Sequence, residues 1–161
     1  MYRRNAIGYM KSSPDGSKLA ICHAQNFSLP SDVNASQNTG SFWVYDFDNS
    51  TGIVSNGIAL LENTPSYGTD FSSDSKKLYV TSGNSVRQFD LDNTNLQTTV
   101  FQGASFLAAI QLGPNNKIYV CNTANQSALD VIESPQEAGQ ACNYNVSGNN
   151  EPFYCLTKTA N

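Results

Sequence analysis

A short sequence pattern occurs three times in this chain of 161 residues. Residues 13–21 read SPDGSKLAI, residues 72–80 read SSDSKKLYV, and residues 113–120 read GPNNKIYV. Each copy has a polar turn, a lysine and then an apolar run of residues that favour β-strands. Self-similarity at a spacing of tens of residues is typical of repeat architectures, in which each copy is one supersecondary unit. We therefore expect a tandem series of small sheets.

A second repeated element follows the first. Residues 42–48 (FWVYDFD) correspond to residues 86–92 (VRQFDLD), and residues 128–132 take this place in the third copy. Successive copies start about 59 and about 40 residues apart, and an insertion over residues 24–41 explains the difference. Without the insertion, both spacings approach the ~40–45 residues of a four-stranded propeller blade.

These spacings predict an all-β protein built as a β-propeller-type array of about three four-stranded antiparallel blades. No segment of ten or more residues combines helical periodicity with helix caps. Period-two alternation places Trp43, Tyr45 and Phe47 on one face of a strand. The predicted units are blades over residues 7–61, 67–102 and 108–146, followed by an irregular tail over residues 147–161.

A lone blade exposes its apolar faces, and propellers typically close with about four to eight blades. Three blades are therefore a partial propeller. We expect further blades of a longer chain, association with a second copy, or an open stack.

Composition excludes several classes of function. Charged residues make up 14% of the chain, the net charge is −4, and the only adjacent basic pairs are Arg3-Arg4 and Lys76-Lys77. Nucleic-acid binding by phosphate neutralisation is therefore not expected, nor is a basic membrane-binding patch. Apolar runs fall short of the about 20 residues that span a bilayer. The first twenty residues lack a signal-peptide core, so if the protein is exported, the signal is expected outside this chain.

The four cysteines do not have the spacing of a metal site. No Cys-x-x-Cys pair occurs, and the chain has one histidine, which argues against zinc. Cys142 and Cys155 lie in a loop-rich segment and can form a disulfide. Cys22 and Cys121 end equivalent strands and are expected to be small buried apolar residues.

The repeats resemble those of a known class. Residues 8–19 (GYMKSSPDGSKL) resemble the "SPDG" blades of WD40-like and TolB-like propellers, and residues 45–52 resemble their Y-D…T-G turn. Other stretches resemble secreted surface proteins of Bacteroidota that are exported by the type IX system and associated with gliding motility. These stretches are residues 67–72 (YGTDFS), 88–91 (QFDL), 109–114 (AIQLGP) and 141–144 (ACNY). The resemblance implies an extracellular or cell-surface protein.

One segment imitates the start of a calcium-binding loop. Asp46, Asp48 and Ser50 alternate along the chain, and alternating oxygens can converge on one ion. The sixth and twelfth positions of such a loop require Gly and Glu, but here they hold Thr51 and Gly57. The favoured interpretation is a hydrogen-bonded turn between two strands. No metal and no cofactor are expected.

Catalytic groups are sparse. The sequence contains no Gly-x-Ser-x-Gly nucleophile elbow whose serine His23 could activate. Cys22 is the chain neighbour of His23 and not a nucleophile that faces it. His23 is expected to pack at a loop edge or to face solvent. Inner strands are predicted over residues 8–12, 68–71 and 108–112, where Asp70 is the one acidic residue. A metal in the central channel would need several ligands there, so these strands favour binding over catalysis.

The loops expected at one rim of the propeller carry the candidate binding residues. Phe27, Tyr67 and Phe106 lie among Asn and Gln residues, with Asn122 on a neighbouring turn. Aromatic and amide groups suit protein or glycan binding without charge steering. We predict a non-enzymatic binding or adhesion scaffold. The alternatives are a lactonase-like hydrolase with a channel metal and a purely structural spacer.

Overall fold

The computed structural model describes residues 8–24, 40–93, 96–125 and 127–149. These residues form strands β1 to β12 and one 3₁₀-helix. In chain order the strands are Met10–Ser12, Lys18–His23, Ser41–Asp48, Ile53–Leu61, Thr69–Phe71, Lys77–Ser82, Ser85–Asp90, Gln97–Gln102, Leu107–Leu112, Ile118–Asn122, Leu129–Ile132 and Tyr144–Asn149, and the 3₁₀-helix is Gly139–Cys142. Within these residues, no helix has the length and apolarity needed to cross a bilayer.

The strands form three four-stranded antiparallel sheets, which confirms the predicted fold class. Sheet 1 contains β1 to β4, sheet 2 contains β5 to β8, and sheet 3 contains β9 to β12, each as a simple meander. The repeats occupy the same register in each sheet. Lys18 pairs with Asp46, and Lys77 pairs with Asp90. Each lysine also forms an ion pair with that aspartate across the strands.

The polar turns of the first two repeats are fixed by their own side chains. Ser13 Oγ donates to Asp15 Oδ1 at 2.5 Å and accepts from the Lys18 backbone N–H at 2.9 Å. Ser72 makes the corresponding bonds in sheet 2. The left-handed position of the turn is Gly16 in the first copy and Ser75 in the second, with φ values of 71° and 63°. The turn therefore keeps its shape after the glycine has been replaced.

The core lies between the sheets in two layers. Sheet 2 is in the middle, and its strand β6 alternates between the layers: Leu78 and Val80 face sheet 1, whereas Tyr79 faces sheet 3.

We call the face that a sheet turns toward the next sheet its leading face and the opposite one its trailing face. The leading face of sheet 1 has Ala20, Cys22, Phe42 and Val44; the trailing face of sheet 2 has Leu78, Val80 and Phe89; the trailing face of sheet 3 has Ile118, Val120 and Ile132.

This stacking separates the two cysteines that occupy equivalent strands. Cys22 is buried, as predicted, because the leading face of sheet 1 packs on sheet 2. The prediction was wrong for Cys121, which is exposed. Cys121 belongs to the leading face of sheet 3, which is the last sheet of the described chain. Burial therefore depends on the position of a sheet in the stack as well as on the repeat.

Cys142 is fully buried in the layer between sheets 2 and 3. Burial raises the pKa of this thiol. Cys155 lies outside the described residues, so the disulfide between the two cysteines stays a prediction.

The connection between β11 and β12 crosses from sheet 3 onto sheet 2. The hydroxyl of Tyr79 donates to the carbonyl of Pro135 at 2.8 Å. Gln88 donates to the carbonyl of Glu137 at 2.7 Å and accepts from the Gly139 N–H at 2.8 Å. We call residues 133–143 the strap, because they fasten the two sheets together through buried hydrogen bonds.

Candidate binding site

The first strands of the three sheets lie side by side and position the candidate site. Strand β5 contacts both β1 and β9. Tyr9 donates its backbone N–H to the carbonyl of Tyr67 at 2.9 Å, which joins sheet 1 to sheet 2. A Cβ atom on Gly68 would lie 2.6 Å from the Ala108 carbonyl oxygen, so glycine permits the close approach of sheets 2 and 3.

Three aromatic rings form a row where these inner strands begin. The ring centroids of Tyr9 and Tyr67 are 5.5 Å apart, and those of Tyr67 and Phe106 are 6.3 Å apart. Both distances lie in the range that favours tilted or edge-to-face packing. Phe106 is 48% exposed, and the two tyrosines are half-buried. The aromatic row of Tyr9, Tyr67 and Phe106 thus forms one continuous surface across three sheets.

The backbone under the aromatic row is fixed by neighbouring strands. Tyr67 donates its N–H to the carbonyl of Thr81 at 3.1 Å. The carbonyl of Phe106 accepts from both the N–H and the hydroxyl of Thr123, at 3.1 and 2.8 Å. A surface whose backbone is already held in place loses little conformational entropy when it binds a partner.

The structure brings together two of the four predicted rim residues, Tyr67 and Phe106. Asn122 lies beside them, but its amide shapes the β10–β11 turn: it donates to Asp130 Oδ2 at 2.8 Å and accepts from the Ala124 N–H at 3.0 Å. Phe27 lies outside the described residues. Sequence reasoning missed Tyr9, because the repeat places Gly68 at the corresponding position and the aromatic ring is not part of the repeated pattern.

The aromatic row is uncharged at neutral pH. The pKa of the Tyr9 hydroxyl is raised, first by burial and then by the nearby Tyr67 hydroxyl and Cys121 thiol. The phenol therefore keeps its proton well above neutrality and can donate or accept a hydrogen bond. Two phenols and one phenyl ring offer apolar faces with polar tips, which is the chemistry of many protein and ligand interfaces.

Asp70 on β5 connects the three inner strands. Its Oδ2 accepts the N–H of Leu112 on β9 at 2.8 Å and lies 3.4 Å from the Lys11 ammonium on β1. Its Oδ1 accepts the Phe71 N–H at 2.9 Å. The side chain is thus used as an acceptor between sheets. Within the described ranges, no three His, Cys, Asp or Glu side chains form a group that could hold a metal ion.

The calcium-like segment forms a turn in the structure. Asp48 accepts from the N–H and hydroxyl of Ser50, at 2.9 and 2.6 Å, and from the hydroxyl of Thr51 at 2.7 Å. Hydrogen bonds from Ser50 and Thr51 lower the pKa of Asp48 to about 2. Asp46 instead pairs with Lys18 and accepts from the Asn56 amide at 2.7 Å. Asp48 therefore stabilises its own turn, whereas Asp46 binds Lys18 and Asn56 on neighbouring strands.

His23 lies at the end of β2, beside the start of β3. Its Nδ1 is 2.8 Å from the Ser41 hydroxyl, which also accepts a hydrogen bond from Trp43 Nε1 at 3.1 Å. Burial lowers the pKa of His23, which favours the neutral ring. Because the Trp43 N–H donates to Ser41 Oγ, this hydroxyl can donate its own proton to His23 Nδ1. The resulting triplet joins β2 to β3.

Known protein structures share the fold of this chain, whereas no sequence comparison identifies a family. No family model and no curated protein matches the chain. A luciferin-regenerating enzyme matches 75% of this chain and 39% of its own, with 18% identity and a TM-score of 0.52. A mitotic checkpoint complex structure matches 91% of this chain and 38% of its own chain, with 16% identity and a TM-score of 0.54. An auxiliary nutrient-binding protein from Bacteroides thetaiotaomicron VPI-5482 matches 78% of this chain and 28% of its own chain, with 18% identity and a TM-score of 0.53.

The matched structures are β-propellers. The chain has the fold of a partial β-propeller. It spans between 28% and 39% of the length of each of these matched chains. Enzymes and binding proteins both occur among these propellers, so the fold alone does not decide between the two classes.

Proposed function

We propose that this partial propeller is a non-enzymatic binding module that recognises a protein or a glycan through its aromatic row. The observation that supports this function is the contact of Tyr9, Tyr67 and Phe106 across three sheets. The row is accessible at Phe106, uncharged, and built on backbone that the strands hold in place. Such a surface suits a partner that offers apolar faces and hydrogen-bonding edges.

We also propose an extracellular or cell-surface location, with a role in adhesion or capture. The resemblance of the repeats to secreted surface proteins of Bacteroidota supports this location. One structurally similar protein is a nutrient-binding protein from a Bacteroides species, which supports a capture role for this fold. On the same resemblance, we propose that the protein is exported by the type IX system and is associated with gliding motility.

A hydrolytic propeller would place its chemistry on the inner strands. Asp70 is the acidic residue there, and it is 6% exposed and engaged with Leu112, Phe71 and Lys11. A metal would have to displace these contacts in order to use the carboxylate. This arrangement favours the binding function over a lactonase-like reaction.

The aromatic row can be tested with two alanine variants and a matched control. We would screen the chain on glycan arrays and against extracellular protein libraries, and then measure the Kd of each hit. Phe106→Ala and Tyr9→Ala should each weaken binding by about tenfold or more, since central aromatic residues contribute at least about 1.4 kcal/mol at interfaces. Leu96→Ala is the control, because Leu96 is 50% exposed and lies on sheet 2 between β7 and β8.

Three outcomes would contradict the proposal. A hit whose Kd is unchanged in both aromatic variants would place binding elsewhere. A complete absence of hits would favour the structural spacer. Stoichiometric, tight binding of Ca²⁺ or Zn²⁺ in calorimetry, together with esterase or lactonase turnover, would favour the enzyme.

A further inference from the structure

One position of the repeat has a side chain with a polar group in all three sheets. It lies on the trailing face, opposite an apolar residue of the preceding strand: Trp43 opposite Ile21, Arg87 opposite Val80, and Asp130 opposite Val120. A polar group that is taken out of water needs a hydrogen-bond partner, so the three sheets can be compared at this position.

In sheets 1 and 3 this side chain is satisfied within its own sheet. Trp43 Nε1 donates to Ser41 Oγ at 3.1 Å. Asp130 is fully buried, and its carboxylate accepts three hydrogen bonds from its own sheet at 2.7 to 2.8 Å, including those of the Asn122 amide and the Tyr144 hydroxyl. The fold therefore supplies partners for a polar group at this position.

Arg87 in sheet 2 has no such partners. Its side chain is half-buried on the face that sheet 2 turns toward sheet 1, and its Nε is buried with no hydrogen-bond partner in the part of the chain that the structure describes. Nε is the one buried, unpartnered nitrogen of this side chain, so the two terminal nitrogens, which also lack partners among the described residues, lie at the surface.

The charge of Arg87 also has no counterion within the described ranges. Ion pairs there neutralise four lysines and leave Arg87 out: Lys11 with Asp70, Lys18 with Asp46, Lys77 with Asp90, and Lys117 with Glu133. An arginine is always charged in a folded protein, and burying part of an unpaired charge costs free energy. A residue that breaks a rule kept elsewhere in the same fold is a candidate for function.

The charge balance of the chain favours a partner with a single acidic group. Polyanions such as nucleic acids are bound by arrays of basic residues, because each charge along the polymer is neutralised separately. This chain instead has a net charge of −4, and most of its described lysines are already paired. One guanidinium in an acidic protein suits one carboxylate, which accepts two parallel hydrogen bonds from it.

Arg87 lies close enough to the aromatic row for one partner to contact both. Tyr67 donates its N–H to Thr81 on β6, and Thr81 pairs with Val86, the residue before Arg87 on β7. The backbones of Tyr67 and Arg87 are therefore two strand spacings apart, about 10 Å. An extended peptide covers this distance in about three residues. Tyrosine and arginine are also enriched among the residues that contribute most to protein–protein binding.

We propose that the partner of this module is a protein, and that an acidic side chain of the partner binds Arg87 while neighbouring apolar groups cover the aromatic row. The proposal rests on the binding function given above and narrows the partner from a protein or a glycan to a protein. The partner's carboxylate supplies the counterion that the described residues do not provide. Arg87 thereby selects among partners that the aromatic rings alone would bind equally.

Replacing Arg87 separates a binding role from a structural one. Arg87→Met keeps an apolar stem and removes the charge, so the midpoint of urea unfolding should stay at or above that of the wild type. Asp130→Leu is the matched control from the equivalent position, and its midpoint should fall by more than about 1 M, because three donors lose their acceptor. If Arg87→Met falls as far as Asp130→Leu, Arg87 serves the fold and the proposal is overturned.

Peptides of defined sequence test the partner. We would measure the Kd of capped peptides in which Glu lies three or four residues from Phe, and of matched peptides with Gln in place of Glu. The wild type should bind the Glu peptides at least about tenfold more tightly, because a hydrogen bond to a charged group is stronger than one to a neutral amide. Arg87→Met should lose this preference, Arg87→Lys should keep part of it, and Leu96→Ala should keep all of it.

The remaining results separate failure of this proposal from failure of the proposed function. Peptides that bind without a preference for Glu, yet bind more weakly to Phe106→Ala, would retain the aromatic row as the site and overturn the role of Arg87. A preference for Glu that persists in Arg87→Met would overturn it as well. Binding of polygalacturonate and of no peptide would overturn the protein partner in favour of an acidic glycan. If neither probe binds and no other partner is found, the proposal and the proposed function both fail.

Discussion

Asp70 should contribute measurably to stability, because it connects all three sheets. Asp70→Ala removes the acceptor of the Leu112 N–H, the acceptor of the Phe71 N–H and the partner of Lys11. A hydrogen bond to a charged group contributes about 1.5–3 kcal/mol, and we count less than about 1 kcal/mol for the ion pair, because the Lys11 side chain is still 26% exposed. The Phe71 bond is local to its own peptide unit, so we count the Leu112 bond as the main loss. The expected destabilisation is about 3 kcal/mol.

Urea unfolding followed by tryptophan fluorescence measures this loss. With a slope of about 2 kcal/mol per molar urea, the midpoint should fall by about 1.5 M. Lys11→Met is the matched control: it removes the ion pair and leaves both backbone N–H groups with their acceptor, so its midpoint should fall by less than about 0.5 M. If Asp70→Ala unfolds within about 0.5 kcal/mol of the wild type, the carboxylate does not join the sheets as we argue.

Two further predictions concern other polar groups. Tyr79→Phe should lower the free energy of unfolding by about 1–2 kcal/mol in the urea assay, because the buried Pro135 carbonyl loses its donor; an unchanged value would show that the strap contributes no stability through this bond. Hydrogen bonds from Ser50 and Thr51 lower the pKa of Asp48 from 3.8 to about 2, so stability that is present above pH 4 should be lost as the pH falls toward 2. Asp48→Asn should flatten this acid dependence in unfolding curves measured between pH 5 and 2, and an identical slope in the variant would contradict the assignment.

The repeat was sufficient to predict the sheets, because the same short-range chemistry acts in each copy. The Ser-x-Asp turn and the lysine that follows it place Lys18 opposite Asp46 and Lys77 opposite Asp90. These contacts span a single hairpin, so the sequence spacing specifies them. Strand β12 extends to Asn149, three residues past the predicted limit of the third blade.

Contacts between sheets were less accessible to sequence reasoning. Cys22 and Cys121 have equivalent positions in the repeat, yet only one is covered by a following sheet. Tyr9 joins the aromatic row through a ring that its counterpart Gly68 lacks. The strap carries no periodic pattern, and its bonds to Gln88 depend on tertiary packing. Such features arise from the stack as a whole and have no local signature.

The strap also makes the array mechanically asymmetric. Sheets 2 and 3 share a core layer and are also joined by the hydrogen bonds that Tyr79 and Gln88 form with the strap. Separating these two sheets therefore requires breaking both the core layer and these hydrogen bonds. Sheet 1 is joined to sheet 2 by their shared core layer, the Tyr9–Tyr67 backbone hydrogen bond and the Lys11–Asp70 ion pair, and among the described residues no segment of sheet 1 is hydrogen-bonded across sheet 2 as the strap is. Under mechanical load or partial denaturation, we expect the chain to open first at the boundary between sheets 1 and 2. Sheets 2 and 3 should then stay folded together as a cooperative unit, and their amide hydrogens should exchange last.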